Sequence, residues 1–288
     1  KRGINNGCEI KFLNKKSLKI YEPLASTYEN FLWSPNTWSA SPNEVFSCLL
    51  KECKELGIEF IINEKITSAS INSVKSSKNK RYFFEYFVNS AGGFSLELSK
   101  LFGIKTNFSI IPFKGLYLKS VNKIRNFSRH IYPVPNLQQP FLGIHTTNTF
   151  DDYLKLGPTA LPALSPENYS IFEGLDWKLS SNIILKQLHL FLKNEFGFRE
   201  LAYKEIKYLN KENIIRKANE LTNYDLSKIN FNWHSPGIRP QLYNENNKRL
   251  ENDFIIIGSN NTFHILNSIS PAWSSAFMSA KYIMNKIM

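Results

Sequence analysis

No Gly-x-Gly-x-x-Gly occurs anywhere in the 288 residues, although thirteen glycines are present. A cradle of that type for a dinucleotide pyrophosphate is therefore missing from the sequence. Cysteine is scarce: Cys8, Cys48 and Cys53 are too few for a disulfide framework. Cys48 and Cys53 stand five apart, a poor spacing for a metal, and the five histidines form no His-x-x-x-His pair. No metal site is expected. No apolar run approaches the ~20 residues that a membrane-spanning helix requires. Internal repeats and low-complexity linkers are absent as well.

The chain is 42% hydrophobic and 14% aromatic, enough to bury a core of one or two domains. Its net charge of +12 lies on lysines spread along the sequence among many asparagines. The nearest approach to a basic block, KSSKNKR at 75–81, reads as a hairpin tip. Nucleic-acid binding calls for clustered basic residues in a recognisable module, so it is not expected. A diffuse positive field does suit the gathering of a dianionic substrate. Reduced thiols point to the cytoplasm, with a peripheral membrane association left open.

Ser41-Pro42-Asn43-Glu44 is a capping box with proline in the first helical position. Val45, Phe46, Leu49, Leu50, Cys53 and Leu56 follow at helical spacing, and Gly57 ends the helix. A buried strand is expected at Ile58–Ile62, then a hairpin of Ile66–Val74 and Arg81–Asn89, then a short helix to Phe102. Strands are expected at Ile110–Leu118, His130–Val134, Phe141–Thr147 and Tyr153–Gly157. Helices dominate 180–230, with a stripe over Leu179–Phe196 closed by Gly197. Strands at Asp253–Gly258 and Thr262–Leu266 precede a helix over Ser270–Met288. Its expected buried face is Ala272, Trp273, Ala276, Phe277, Ala280, Ile283, Met284 and Ile287.

Several stretches combine small residues, prolines and polar side chains in ways that allow chemistry. In Phe141–His145, alternation puts Phe141, Gly143 and His145 on one face of a strand, and Gly143 leaves space beside the imidazole. Imidazole titrates near neutrality, which suits a general base, although a lone strand histidine is equally a structural residue. Phe87-Val88-Asn89-Ser90-Ala91-Gly92-Gly93 is a strand running into small residues, either a tight turn or a place for a ligand to approach the backbone. In Ser235-Pro236-Gly237-Ile238-Arg239-Pro240-Gln241, the arginine fork matches a carboxylate; the plain alternative is an exposed proline loop. His264-Ile265-Leu266-Asn267 leads to Ser270-Pro271-Ala272, where a helix start favours partial negative charge.

Together with Ile131-Tyr132-Pro133-Val134-Pro135, Phe141-Leu142-Gly143-Ile144-His145, Leu156-Gly157-Pro158-Thr159-Ala160 and Pro112-Phe113-Lys114-Gly115, these stretches resemble the L-2-hydroxyglutarate dehydrogenase/oxidase family of FAD-dependent oxidoreductases. The resemblance covers essentially the whole chain and corresponds to the carboxyl-terminal two-thirds or so of a family member. It implies a D-amino-acid-oxidase-like fold of mixed α/β (α+β) type. A partial Rossmann-type FAD-binding domain would interleave with a substrate domain of antiparallel sheet and helices. The expected division is 1–40 substrate-domain or linker, 41–106 partial FAD domain, 107–245 substrate domain and 246–288 FAD domain.

The resemblance implies FAD as cofactor, held by Ala91, Gly92, Gly237, Asn267, Ser270, Pro271 and Ala272. It implies His145 and Arg239 as catalytic residues, with Lys114, Tyr132 and Gln241 on a 2-hydroxy dicarboxylate. The expected reaction is oxidation of L-2-hydroxyglutarate, or a similar 2-hydroxy acid, to the 2-oxo acid, with oxygen or quinone as candidate electron acceptors. Departures from the family pattern occur at Gly93, where a larger residue is usual, and at Glu97-Leu98 in place of Asp-Arg. Lys114 replaces Arg, Leu116 an acidic residue, and Pro240, Ile269 and Trp273 also differ. The start at Lys1 and the missing glycine loop point to amino-terminal truncation, with an unpaired apolar edge on the cofactor sheet. An alternative reading is a catalytically incompetent fragment, or half of a split flavoprotein that acts with a partner chain.

Overall fold

Ser41 opens the first long helix as expected, its side chain accepting from the Glu44 amide at 3.4 Å. The computed structural model describes residues 2–134, 141, 143–170, 173–259, 261–268, 270 and 272–287. The chain begins with α1 (Arg2–Asn5), β1 (Lys11–Asn14), α2 (Leu18–Tyr21), β2 (Asn30–Trp33) and α3 (Pro42–Glu55). Next come β3 (Ile66–Ala69), β4 (Ser73–Ser76), β5 (Arg81–Phe83), β6 (Phe87–Asn89) and α4 (Ser95–Leu101). Strands β7 (Phe108–Ser120), β8 (His145–Asn148), β9 (Leu154–Gly157) and β10 (Leu161–Pro162) precede α5 (Trp177–Lys193), α6 (Phe198–Ile206) and α7 (Lys211–Asn219). The chain closes with β11 (Phe231–Asn244), β12 (Arg249–Leu250), β13 (Ile255–Ser259), β14 (Thr262–Asn267) and α8 (Ala276–Ile287). The mixed helix and sheet content agrees with the expected fold class.

The residues group into two units. The first contains 1–59, 115–160 and 204–236. Here β9 pairs antiparallel with both β8 and the end of β7. Leu118, Ile144, Leu154 and Leu156 project from one face onto Ile214, Ile215 and Ala218 of α7, forming a closed apolar core with Phe127, Leu226, Ile229 and Phe231. Asn210 caps α7 by accepting from the Glu212 amide at 2.9 Å. Because side chains alternate along a strand, Tyr117, Lys119, His145, Thr147 and Lys155 fall on the opposite face. The buried carboxylate of Glu22 is satisfied by the Leu24, Ser128 and Arg129 amides and the Ser128 hydroxyl.

The second unit contains 60–114, 161–203 and 237–288. Strand β14 pairs antiparallel with β13 and parallel with β6, and Leu96 of α4 packs with Leu266, Ile110 and Leu242. A separate meander joins β3, β4 and β5. These units group residues by contact, whereas the expected limits at 41, 107 and 246 group them by cofactor and substrate role, and the two sets do not coincide.

Several local expectations are corrected. Residues 58–62 form no strand and are exposed, because no described strand offers them a ladder. Both expected hairpin arms break, at 70–72 and at 84–86: β3, β4 and β5 make the meander, and β6 pairs with β14 instead. Around 130–134 only Ile131 makes a bridge, to Thr146; Pro133 has no N–H to extend it. Helix α5 stops at Asn194, which adopts the left-handed conformation before Gly197 is reached. Helix α8 starts at Ala276 rather than Ser270, with turns over 272–275. Of its expected buried face only Ile283 is buried among the described residues, and α3 likewise buries none of its apolar stripe. No described helix is long and apolar enough to cross a membrane. All three cysteines are free.

Candidate active site

The chemistry-bearing residues of the first unit meet on the open face of the β7–β9–β8 sheet. Strand β8 begins at His145, and Gly143 lies outside it with φ of +76°, so the expected three-residue alternation does not form. At that φ a side chain is strained, whereas a Cβ would meet only Pro133, at 3.6 Å. The glycine therefore serves the backbone turn more than it creates room. That turn brings the Gly143 carbonyl to 3.0 Å from Nδ1 of His145. A carbonyl only accepts, so Nδ1 carries the proton and Nε2 the lone pair.

Tyr132 stacks on the His145 ring, with centroids 4.2 Å apart and planes tilted by 31°. The Ile131–Thr146 bridge sets this pairing. Burial raises the Tyr132 hydroxyl pKa, against a hydrogen bond with Thr147. Beside them Lys119 pairs with Asp151 at 3.1 Å and lies over the Tyr153 ring. Lys155 lies over the Tyr117 ring at 3.9 Å. Burial and the adjacent Lys119 charge lower the Lys155 pKa. His234 is also shifted down, by burial and then by Lys155 and Lys119.

In the second unit, the turn after β6 is held by a buried polar relay. Asn89 Oδ1 accepts from the Ala91 amide at 3.1 Å, and its Nδ2 donates to the Ser95 carbonyl at 2.8 Å. The same Nδ2 lies 3.0 Å from Nδ1 of His264. Since Nδ1 must then accept, Nε2 of His264 carries the proton; it is buried without a hydrogen-bond partner among the described residues. Gly93 explains its departure from the family pattern: a Cβ there would stand 2.5 Å from Pro166 and 3.3 Å from Pro240. The turn can approach these prolines only without a side chain.

Asn267 and Gln241 converge on one backbone carbonyl. Asn267 donates to Glu251 at 3.3 Å and Asp253 at 2.7 Å, while Gln241 donates to Glu251 at 3.1 Å. Both are buried, so the Gln241 amide is directed at the backbone. Arg239 and Gly237 sit half-buried on β11. Lys114 on β7 donates to the Ser170 carbonyl at 3.3 Å, and burial lowers its pKa against the pull of Glu173. Ser270 is exposed and Ala272 half-buried in turns, while Pro271 lies outside the described residues. The structure thus joins His145 to Tyr132, and Gln241 to Asn267. Lys155 and the Asn89–His264 pair were missed; strand parity with His145 would have flagged Lys155 once the register was known.

The family model for FAD dependent oxidoreductases matches residues 1–285. The chain belongs to this family. The L-2-hydroxyglutarate dehydrogenase of Escherichia coli (strain K12) is 26% identical over 293 residues, covering 98% of this chain and 67% of that protein. The mitochondrial L-2-hydroxyglutarate dehydrogenase of Mus musculus is 27% identical over 312 residues, covering 98% and 64%. The chain therefore spans about two-thirds of the length of these curated relatives. Among solved structures, FAD-bound L-alpha-glycerophosphate oxidase from Mycoplasma pneumoniae aligns with a TM-score of 0.66 at 15% identity, covering 99% of this chain and 67% of that one. Glycine oxidase from Geobacillus kaustophilus aligns with a TM-score of 0.61 at 13% identity, covering 98% and 65%. These likenesses establish the D-amino-acid-oxidase-like FAD oxidoreductase fold.

FAD is the cofactor of the family, and the second unit's residues fit it on two counts. Apart from its two chain neighbours, no described residue comes within 4 Å of where a Gly92 side chain would begin, which leaves the turn after β6 open to a ligand. Asn267 Oδ1 is buried without a partner among the described residues, an acceptor still to be satisfied. Among the described residues no cluster could hold a metal ion.

Proposed function

We propose that this FAD-dependent oxidoreductase oxidises L-2-hydroxyglutarate, or a closely similar 2-hydroxy acid, to the 2-oxo acid. The observation that carries the reading is the 3.0 Å approach of the Gly143 carbonyl to His145 Nδ1, which assigns the ring proton to Nδ1 and makes Nε2 the basic atom of the neutral ring. The L-2-hydroxyglutarate dehydrogenases among the curated relatives support the substrate class. When bound, FAD supplies the hydride acceptor. Ala91, Gly92, Gly237, Asn267, Ser270, Pro271 and Ala272 are the residues proposed to hold it, the turn after β6 being shaped by Asn89 and Gly93.

His145 takes the proton of the substrate hydroxyl at Nε2 as C2 is oxidised, a role worth about 10²–10⁴ in rate. Tyr132 keeps the imidazole plane fixed through ring contact. Arg239 offers a two-pronged fork to the carboxylate next to the reacting carbon. Lys114 contributes positive charge more loosely. Gln241 acts through the Glu251 backbone as a positioning residue. Oxygen or a quinone remains the proposed electron acceptor, and the free cysteines agree with a reducing, cytoplasmic setting. No observation favours the alternative of an incompetent fragment.

Arg239→Lys in the FAD-loaded protein tests the assignment. It should raise KM for L-2-hydroxyglutarate by about tenfold or more, because a point charge replaces a bidentate fork. An unchanged KM would remove Arg239 from the site.

A further inference from the structure

The open sheet face holds more positive charge than its own carboxylates neutralise. Lys119 on β7 and Lys155 on β9 stand directly opposite each other. Like charges in that position destabilise a sheet. Lys119 is compensated by Asp151 at 3.1 Å. Lys155 is half-buried, has no carboxylate partner among the described residues, and contacts the face of the Tyr117 ring. His234 adds a further basic group nearby.

The register ties this lysine to the proposed base. Lys155 is opposite Thr147, and His145 is opposite Gly157. His145 and Lys155 are therefore diagonal neighbours on one face, about 7–8 Å apart at the backbone, within reach of long side chains. The groups around Lys155 are Lys119 opposite it, the Tyr117 ring beneath it, His145 diagonal to it, and His234 and Asp151 beside the lysine pair. Asp151 is the one carboxylate among them, and it is engaged by Lys119.

We infer that Lys155 is a specificity-determining residue that receives the carboxylate remote from the reacting carbon when His145 engages the hydroxyl of a 2-hydroxy dicarboxylate. The inference rests on the reaction proposed above and names the residue that would select a dicarboxylate over a monocarboxylate. Lys114, whose ammonium donates to the Ser170 carbonyl, keeps only the looser contribution of positive charge proposed above.

The test compares glutarate with valerate, which has a methyl group in place of one carboxylate. Calorimetric binding to the FAD-loaded protein should favour glutarate by about ten- to a hundredfold, the worth of one charge-assisted contact. Lys155→Met should abolish most of that preference, and Lys155→Arg should keep much of it. In turnover, Lys155→Met should raise KM for L-2-hydroxyglutarate far more than for L-2-hydroxyvalerate. An unchanged thermal midpoint in either variant shows that the fold is intact. Equal affinity for the two acids in the parent protein, or a preference that survives Lys155→Met, would overturn the subsite. Binding is read without turnover. A glutarate preference lost in Lys155→Met would therefore uphold the subsite even if no 2-hydroxy acid reduced the flavin, and the proposed reaction alone would then fall.

Discussion

The Nδ1 atom of His145 and the carbonyl oxygen of Gly143 lie 3.0 Å apart, across two residues of chain. This contact orients the imidazole and fixes its tautomer. His145→Gln should therefore lower kcat by about 10²–10⁴ while changing KM little. Steady-state kinetics on the FAD-loaded protein checks this. A kcat within threefold (roughly RT in free energy) of the parent would show that His145 is not the base.

Gly143 contributes through its backbone conformation. Gly143→Ala places a side chain at φ of +76°, a strain of about 1–2 kcal/mol. Relief of that strain would move the carbonyl and loosen the imidazole. The expected result is a lower thermal midpoint together with a lower kcat. A change in midpoint alone would separate the turn from the chemistry.

Gly93→Ala should be costly for a different reason. The new Cβ would meet Pro166 at 2.5 Å, so the turn after β6 must shift, at about 1–3 kcal/mol of stability. FAD affinity, followed by recovery of flavin fluorescence on dilution, should fall in parallel. Unaltered stability and affinity would mean that the turn adapts without affecting the cofactor.

Asn267 and Gln241 should differ in weight. Asn267→Ala removes the donor to both the Glu251 and Asp253 carbonyls, at about 0.5–1.5 kcal/mol for each bond lost. Gln241→Met should cost less, since Asn267 still donates to Glu251. Urea unfolding of both variants measures the order, and the reverse order would contradict the hydrogen-bond assignment.

The pH dependence of stability follows from His264. Burial lowers its folded-state pKa below the unfolded value of about 6.5. As pH falls through about 6.5 the unfolded chain gains a proton that the folded chain does not, so stability present at neutral pH is progressively lost. His130 and His234 shift in the same direction, each with burial as the largest cause. Stability should drop between pH 7.5 and 5.5 (the range spanning a histidine titration), and His264→Leu should flatten that drop. An undiminished drop would place the proton uptake elsewhere.

Features fixed by neighbours in sequence were legible in advance. The Ser41–Glu44 cap is local and needs no partner. So were the existence of β7, β9, β13 and β14, and the small-residue turn after Asn89. Elements that depend on a distant partner were misread. Ile58–Ile62 has strand composition but no described strand beside it. Pro133 cuts the 130–134 strand to one bridge. Asn194, not Gly197, stopped α5, because asparagine also tolerates the left-handed region. The site was half-legible for the same reason. His145 stood out by type, yet its contact with Tyr132 depends on the Ile131–Thr146 bridge, and Lys155 gains meaning only from the β8–β9 register.

The most direct test of the account is anaerobic titration of the FAD-loaded protein with L-2-hydroxyglutarate, followed by flavin absorbance. The account predicts bleaching of the oxidised flavin band, slowed in His145→Gln. An absorbance that neither L-2-hydroxyglutarate nor any other 2-hydroxy acid changes would contradict it.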